Sequence, residues 1–338
     1  MRQVSWAICL IIAPFVASAD PKSEMVSRIV SDHILPRFEI LAVHSQTLSD
    51  VAEQECRASS VALRSAYYAA FDSWISASHL RFGPTQTDDR AFALAFWPDS
   101  RGITPRVLND LIDTQDPIAN APEDYAQVSI AGRGFYALEY LLYDEQSIHT
   151  ADTEYRCQLV QTIAADIAVT ARDIHTDWQS NFAALMLSPM DDGLYRSQDE
   201  VLQELFKALA TGLQFTAETR LGRPLGTFDR PRPRRSEARR SGRSARHVLL
   251  SLMALHDLAQ HLAQTDQDLA DRLTTGFDRA VLLLNALDDP TFASVADAPT
   301  RIKVEIVQNT VNAIRGIVRD ELGPTLGVAA GFNALDGD

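Results

Sequence analysis

The sequence predicts an all-α protein built from two packed helical bundles. Apolar residues recur every three to four positions over most of the chain, which is the spacing of one face of an α-helix. Convincing runs that alternate apolar and polar residues between hairpin turns are absent from the sequence. Only 15 of the 338 residues are glycine, which also suits a mostly helical chain. With 46% hydrophobic residues, the chain has enough apolar material for a folded core.

The first 19 residues have the pattern of an export signal. Arg2 supplies a short positive region, an apolar stretch runs from Trp6 to Val16, and small residues at 17–19 form a typical cleavage site. The alternative is a buried N-terminal helix. No later stretch of the sequence is long and apolar enough to span a bilayer. We therefore expect an exported, periplasmic protein with no transmembrane segment in its mature chain.

Removal of this signal leaves two cysteines, Cys56 and Cys157. An oxidising compartment favours one disulfide bond between them. Two buried free thiols are the alternative. A zinc site is a weaker interpretation because the sequence has no C-x-x-C pair.

Five long helical patterns follow one another along the mature chain. They run over 61–75, 159–174, 201–213, 249–262 and 302–318. The last of them is expected to end at Gly323 and Pro324. An irregular stretch around Ser188–Gly193 divides the chain. We expect an N-terminal bundle over 20–190 and a C-terminal bundle over 191–338.

Residues 220–246 form an arginine-rich connector within the second bundle. This segment has ten arginines and only two acids, Asp229 and Glu237, so its charge is +8 in a chain whose total is −14. Prolines 224, 231 and 233 argue against a continuous basic helix that would read DNA or lie on a membrane. The negative total charge also argues against nucleic-acid binding by the whole surface. Two interpretations stay open: a solvated basic loop, or a segment that binds an anion or a partner.

The densest group of chemically active side chains lies in the run from Gly132 to Tyr143. On a helix, Tyr136 and Glu139 are three residues apart and share a face. A carboxylate on a helix that is otherwise apolar is costly to bury without a partner. That partner is an arginine, a metal ion or a bound ligand. If the partner is an arginine, the pair has a purely structural role.

Motifs of known hydrolases and nucleotide-binding proteins are missing from the sequence. No histidine is followed by Glu, so the H-E-x-x-H motif of zinc proteases is excluded. The closest pair, His256 and His261, are five residues apart and would not share a helix face. No catalytic residue is therefore predicted.

Several sequence blocks together resemble the imelysin-like family of exported bacterial proteins. These blocks are Phe82–Pro84 with Phe96–Asp99, the run Gly134–Leu142, the pair Ser241 and Ser244, and the tail Gly331–Asp338. The resemblance implies two helical bundles with a ligand site where they meet, and a link to iron acquisition or metal handling. It also carries an older peptidase classification that rests partly on a G-x-H-x-x-E motif. Here Gly134 and Glu139 match that motif, but Tyr136 stands at the histidine position.

This departure leads to a leading hypothesis and two alternatives. The leading hypothesis is a non-enzymatic periplasmic protein that binds iron, another metal ion or an anionic ligand and delivers it to an envelope transport partner. The alternatives are a metallopeptidase and an envelope interaction protein without a small-molecule site. If a metal is bound, Tyr136 and Glu139 are its expected ligands, although a phenol binds ferric iron only as phenolate. The predicted ligand-binding residues are Tyr136, Glu139, Arg81, Trp97, Arg133, Ser241 and Ser244.

Overall fold

The structure, a computed structural model, describes residues 20–150 and 153–328. The predicted export signal and the tail block Gly331–Asp338 lie outside the described residues. The α-helices are α1 (Pro21–Arg28), α2 (Leu35–Gln54), α3 (Val61–Ala77), α4 (Arg90–Leu94), α5 (Ile103–Thr114), α6 (Gly134–Tyr143), α7 (Glu145–Thr150), α8 (Thr153–Asp177), α9 (Ala183–Leu187), α10 (Gln198–Gln214), α11 (Gly222–Leu225), α12 (Ser244–Leu262), α13 (Gln267–Asn285), α14 (Ala298–Ile317) and α15 (Gly323–Leu326).

The all-α prediction is confirmed. Over 20–150 and 153–328 the structure contains no β-strand, and the one isolated β-bridge joins Thr227 to Arg230. None of the helices in this part of the chain is both long and apolar enough to cross a membrane.

Polar side chains at the helix starts explain several of the observed bounds. The hydroxyl of Ser60 accepts a hydrogen bond from the Leu63 amide at 3.2 Å and caps α3. Asp266 caps α13 in the same way. Because the first amides of a helix lack partners within it, such caps fix where a helix begins.

Four π-helical segments continue these helices without a break. They are Ile29–Ile34, Trp178–Phe182, Phe215–Leu221 and Val318–Leu322. The expectation that the last helix ends at Gly323 and Pro324 is therefore wrong. Pro324 follows directly on the π-helical segment Val318–Leu322, where the regular α-helical hydrogen bonds are already interrupted, and the helix ends at Gly327 instead.

Two groups of helices pack around one continuous apolar core. Helices α2, α3 and α8 pack on one another with α6 beside α8, and α12, α13 and α14 form a second group. The two groups meet where α12 packs against α3. The predicted boundary at residue 190 stays a prediction. A cavity of about 600 Å³ lies beside this seam and is lined by Ile75 of α3 and by Ser251 and Leu255 of α12.

The predicted disulfide bond is confirmed. Cys56 follows the end of α2 and is bonded to Cys157 in α8, with 5.1 Å between their Cα atoms. The two residues are 101 positions apart in the sequence. The bond therefore closes a long loop that would otherwise be free in the unfolded chain.

Loss of this bond should lower the free energy of unfolding by about 4 kcal/mol, because the reduced unfolded chain gains loop entropy. Urea unfolding of the wild type, with and without a reductant, measures this difference. The Cys56→Ala/Cys157→Ala variant is the control, since reductant should not affect its unfolding midpoint. Equal midpoints for oxidised and reduced wild type would contradict the prediction.

Candidate ligand-binding site

Helix α6 carries the predicted site residues through the interior of the protein. Every residue from Gly134 to Leu142 is buried. Gly134 has a φ angle of +72°, and a Cβ atom at this position would overlap the backbone carbonyl oxygens of Ala93 and Leu94. Only glycine allows the helix to begin so close to α4 in this conformation. Gly134 therefore sets the position of Tyr136 and Glu139.

Glu237 is the centre of a buried polar cluster. Its Oε1 atom accepts a hydrogen bond from the Tyr136 hydroxyl at 2.5 Å, and its Oε2 atom accepts one from Arg220 Nε at 2.7 Å. The Nδ1 atom of His247 lies 3.3 Å from the same Oε2 atom. Burial raises the pKa of Glu237. Arg220 and His247 together have a larger effect in the opposite direction, so the pKa is lowered from 4.5 to about 2. The carboxylate is therefore charged and its charge is balanced within the cluster.

Tyr136 is held as a neutral phenol in this cluster. Burial raises the pKa of Tyr136 well above its usual value, and the charge of Glu237 raises it further. The ring lies beside Trp97, with 6.3 Å between ring centroids and 26° between ring planes. The peptide bond between Trp97 and Pro98 is cis.

Glu139 connects α6 to the arginine-rich connector. Its Oε1 atom accepts hydrogen bonds from the Ser241 amide at 2.9 Å and from the Ser241 hydroxyl at 2.8 Å. Burial raises the pKa of Glu139, and the bonds from Ser241 offset part of that rise. The structure thus brings together four of the residues predicted for the site: Trp97, Tyr136, Glu139 and Ser241.

An arginine-lined cleft of about 290 Å³ opens between α6 and the connector. Its floor includes Trp97, Tyr136 and Glu139. Five arginines line it: Arg223, Arg234, Arg235, Arg239 and Arg240. Arg240 donates a hydrogen bond to Asp144 at 2.6 Å. For the other four, no carboxylate of the described residues lies within ion-pair distance.

The cleft arginines also repel one another. Burial lowers the pKa of Arg223, and the charge of Arg235 lowers it further. For Arg239, burial again has the largest effect on the pKa, followed by the charges of Arg240 and Arg234. The Nε atom of Arg223 is buried and has no hydrogen-bond partner in the described structure. The charges of Glu139 and Asp144 oppose these effects on the pKa of Arg239, and Asp99 and Glu139 also line the cleft. Because five arginines outnumber these two lining acids, the cleft has an excess of positive charge.

Three predicted site residues lie apart from this cleft. Arg133 binds Asp166 through two hydrogen bonds of 2.9 and 2.7 Å, and it lines no cavity described here. The Ser244 hydroxyl donates to the backbone carbonyl of Glu237 at 2.5 Å and so supports the connector at the start of α12. Arg81 lines a second cavity on the other side of Trp97.

Glu237, Arg220 and His247 belong to the site although no local sequence pattern indicates it. Glu237 stood out only as one of two acids in the arginine-rich connector. Its partners come from the π-helical segment before α11 and from α12, so no local spacing relates the three residues. The available signal that this position is special was that Glu237 is one of only two acids among ten arginines.

The donor set at Tyr136 and Glu139 does not fit a resident metal ion. Glu139 is already bonded to Ser241, Glu237 is bonded to Arg220, and Tyr136 is kept protonated. Across 20–150 and 153–328, no group of three or more His, Cys, Asp or Glu residues is arranged to hold a metal ion. Nearby arginines would also repel a cation. The occupied donors and the nearby arginines favour an anionic ligand over a metal ion. Metal binding by Tyr136 and Glu139 stays a prediction.

A second buried network was also missed, because it joins residues far apart in the sequence. His33 Nε2 lies 2.8 Å from His79 Nε2, and His33 Nδ1 lies 2.8 Å from Asp257 Oδ2. Arg37 donates to the same carboxylate oxygen at 2.8 Å. Burial lowers the pKa of His33 from 6.5 to about 4, despite the opposing effect of Asp257. The ring of His33 is therefore neutral in the folded protein near neutral pH.

This shift predicts that stability falls as the pH falls from 6.5 to 4. In this range the unfolded chain binds a proton at His33 that the folded protein does not bind, so the loss approaches about 3 kcal/mol at pH 4. Urea unfolding of the wild type and His33→Gln from pH 7 to pH 4 measures it. The variant should lose less stability than the wild type over this range, and parallel curves would refute the assignment.

Comparison with known proteins identifies the fold and the family of this chain. A family model named Peptidase_M75, Imelysin, matches residues 34–317. The structure superimposes on an imelysin-like protein from Psychrobacter arcticum 273-4 with a TM-score of 0.79 and 22% identity, over 93% of this chain and 98% of that one. A putative iron-regulated protein A precursor from Parabacteroides distasonis ATCC 8503 superimposes with a TM-score of 0.72 and 13% identity, over 89% and 96% of the two chains. No curated protein matches the sequence. The chain belongs to the imelysin family.

Proposed function

We propose that this chain is an exported binding protein that holds an anionic ligand in the arginine-lined cleft. The observation that supports the proposal is the group of four cleft arginines without a carboxylate partner in the described structure. Arg223 and Arg239 are half-buried and Arg234 and Arg235 are exposed, and an anion that enters the cleft would offset the repulsion among these four charges. Arginine also suits this role because its planar group binds carboxylates and phosphates through two hydrogen bonds.

The acids around the cleft offset only part of the charge of its arginines, through the effect of Glu139 and Asp144 on Arg239. Glu237 is balanced by Arg220, and Glu139 accepts its hydrogen bonds from Ser241. These contacts fix the two carboxylates and leave Arg223, Arg234, Arg235 and Arg239 free to contact a ligand. In this interpretation Tyr136 and Glu139 hold the connector in place, and the arginines of the connector bind the ligand.

Trp97 and Arg223 add a flat wall to the cleft. The guanidinium carbon of Arg223 lies 5.7 Å from the centroid of the Trp97 ring, within the range of a cation–π contact. Such a contact holds the arginine in one orientation without neutralising it. The cleft thus presents a prearranged cation to an incoming anion.

An anionic iron complex is the ligand class that we favour. One structural neighbour is named as a putative iron-regulated protein A precursor, and the N-terminal sequence has the pattern of an export signal. An iron chelate with carboxylate groups would bring the metal as cargo, so the protein would need no metal ligands of its own. This fits a cleft that is rich in arginine and poor in metal-binding donors.

Calorimetry with the mature chain tests the proposal. The probes are ferric citrate, iron-free citrate, pyrophosphate, and ferrous and zinc ions alone. We expect ferric citrate to bind with a dissociation constant of about 10 µM or tighter, equivalent to about 7 kcal/mol, and the bare metal ions not to bind. If citrate or pyrophosphate binds and ferric citrate does not, the ligand is an anion that carries no iron. Failure of all three anions to bind at millimolar concentration would overturn it.

A further inference from the structure

A second and larger cavity lies on the opposite side of Trp97 from the arginine-lined cleft. Its volume is about 600 Å³, within the usual range for small-molecule sites. It is bounded by the end of α3, the segment from His79 to Pro98, and helices α10 and α12. The apolar side chains that line it include Ile75, Phe82, Phe92, Trp97, Phe215 and Leu255. Most of the wall is therefore suited to an apolar ligand body.

One end of this cavity is cationic. Arg81 and Arg220 both line it. Arg220 is already paired with Glu237. Arg81 donates from Nε to the Ser78 carbonyl at 3.4 Å and lies over the Phe92 ring at 5.2 Å. No carboxylate of the described residues lies within ion-pair distance of Arg81.

The surroundings of Arg81 leave one positive charge unbalanced. Burial lowers the pKa of Arg81, and the neighbouring charge of Arg220 lowers it further. The charge of Glu237 acts in the opposite direction but less strongly. Glu237 is thus one carboxylate near two guanidinium groups, and it is bonded to only one of them.

Three other charged side chains also line the cavity, those of Asp89, Glu204 and Lys207. None of the three is paired with Arg81, and neither acid is among the groups that affect its pKa. Burial raises the pKa of Glu204, and Lys207 partly offsets that rise. The cavity therefore combines two guanidinium groups, a largely apolar wall and a few further charged side chains.

We propose that this cavity binds an amphipathic carboxylate, with the carboxylate on Arg81 and the hydrocarbon or aryl body along the apolar wall. A carboxylate accepts two parallel hydrogen bonds from one guanidinium group. The low polarity of the wall strengthens that ion pair and buries the apolar body. This site is separate from the arginine-lined cleft, although Trp97 lies between the two cavities and contacts both.

Calorimetry with monomeric decanoate tests this proposal. Decanol has a similar chain without the charge, and acetate has the charge without the chain. We expect decanoate to bind at least tenfold more tightly than either, because only decanoate uses both halves of the cavity. Absence of decanoate binding at 1 mM, or equal binding of decanol, would overturn the proposal.

Two variants separate this site from the cleft. Arg81→Gln should weaken decanoate binding at least tenfold and leave ferric citrate binding unchanged, whereas Arg223→Gln should do the reverse. Thr211→Phe keeps Arg81 and fills the cavity from α10, so it should also abolish decanoate binding. Unchanged decanoate affinity in Arg81→Gln and Thr211→Phe, both with the helical circular dichroism of the wild type, would exclude this cavity.

Discussion

Replacing Glu237 with Gln is expected to lower the free energy of unfolding by about 3–5 kcal/mol. The substitution keeps the shape of the side chain but removes the charge that balances Arg220, and both side chains are buried. An uncompensated buried charge is among the most destabilising changes that a single substitution makes. Urea unfolding at pH 7 measures the effect.

The pH dependence of this difference gives a second test. The pKa of Glu237 is about 2 in the folded protein and 4.5 in the reference state. A depressed carboxyl pKa contributes stability that is complete above 4.5 and is lost as the pH falls toward 2. The difference between wild type and variant should therefore shrink below pH 4.5. A difference that stays constant down to pH 3 would contradict the assigned ion pair.

Glu200→Gln is the matched control for this substitution. Glu200 accepts a hydrogen bond from Arg196 at 2.5 Å on an exposed surface, where solvent screens the pair. Its unfolding midpoint should fall far less than that of Glu237→Gln, because Glu200 contributes only a screened ion pair and a charge in the first turn of α10. An equal loss of stability in the two variants would show that burial is not the cause.

Replacing Gly134 with Ala is expected to cost at least about 4 kcal/mol. The added methyl group would overlap two backbone carbonyl oxygens, of Ala93 and Leu94, and backbone cannot move aside as a flexible side chain can. The positive φ angle adds about 1 kcal/mol of strain for a residue with a Cβ atom. Thermal and urea unfolding measure the loss, and near-ultraviolet circular dichroism reports the packing of α6.

Gly102→Ala separates the two contributions. Gly102 also has a positive φ angle, +64°, but a Cβ atom there would meet nothing within 4 Å. This variant should lose only the roughly 1 kcal/mol of backbone strain. Similar losses at the two positions would mean that close approach to α4 does not explain Gly134.

The fold could be predicted because its signals are local. The spacing of apolar residues within each helix is set by a few neighbouring positions, and the disulfide bond follows from two remaining cysteines. The fate of Gly323 and Pro324 could not be predicted in this way. A proline can follow the end of one helix or lie in the first turn of the next. The spacing of apolar residues does not show that a π-helical segment joins two helices here.

The candidate site could be predicted only in part. Tyr136 and Glu139 were found because an acid on an apolar helix needs a partner. The identity of that partner depends on contacts between distant segments, such as the 101 positions between Tyr136 and Glu237. Arg133 shows the same limit, because nothing local to it indicates that Asp166, 33 positions away, binds it.

Binding of ferric citrate to the wild type, Arg239→Ala and Arg230→Ala tests the central claim most directly. Arg239 lines the cleft, whereas Arg230 lies in the same connector but is exposed and outside the cleft. Isothermal titration should show at least tenfold weaker binding for Arg239→Ala, the change that 1.4 kcal/mol produces, and wild-type affinity for Arg230→Ala. Equal affinities in all three proteins, or equal weakening in both variants, would contradict the assignment of the arginine-lined cleft as the ligand site.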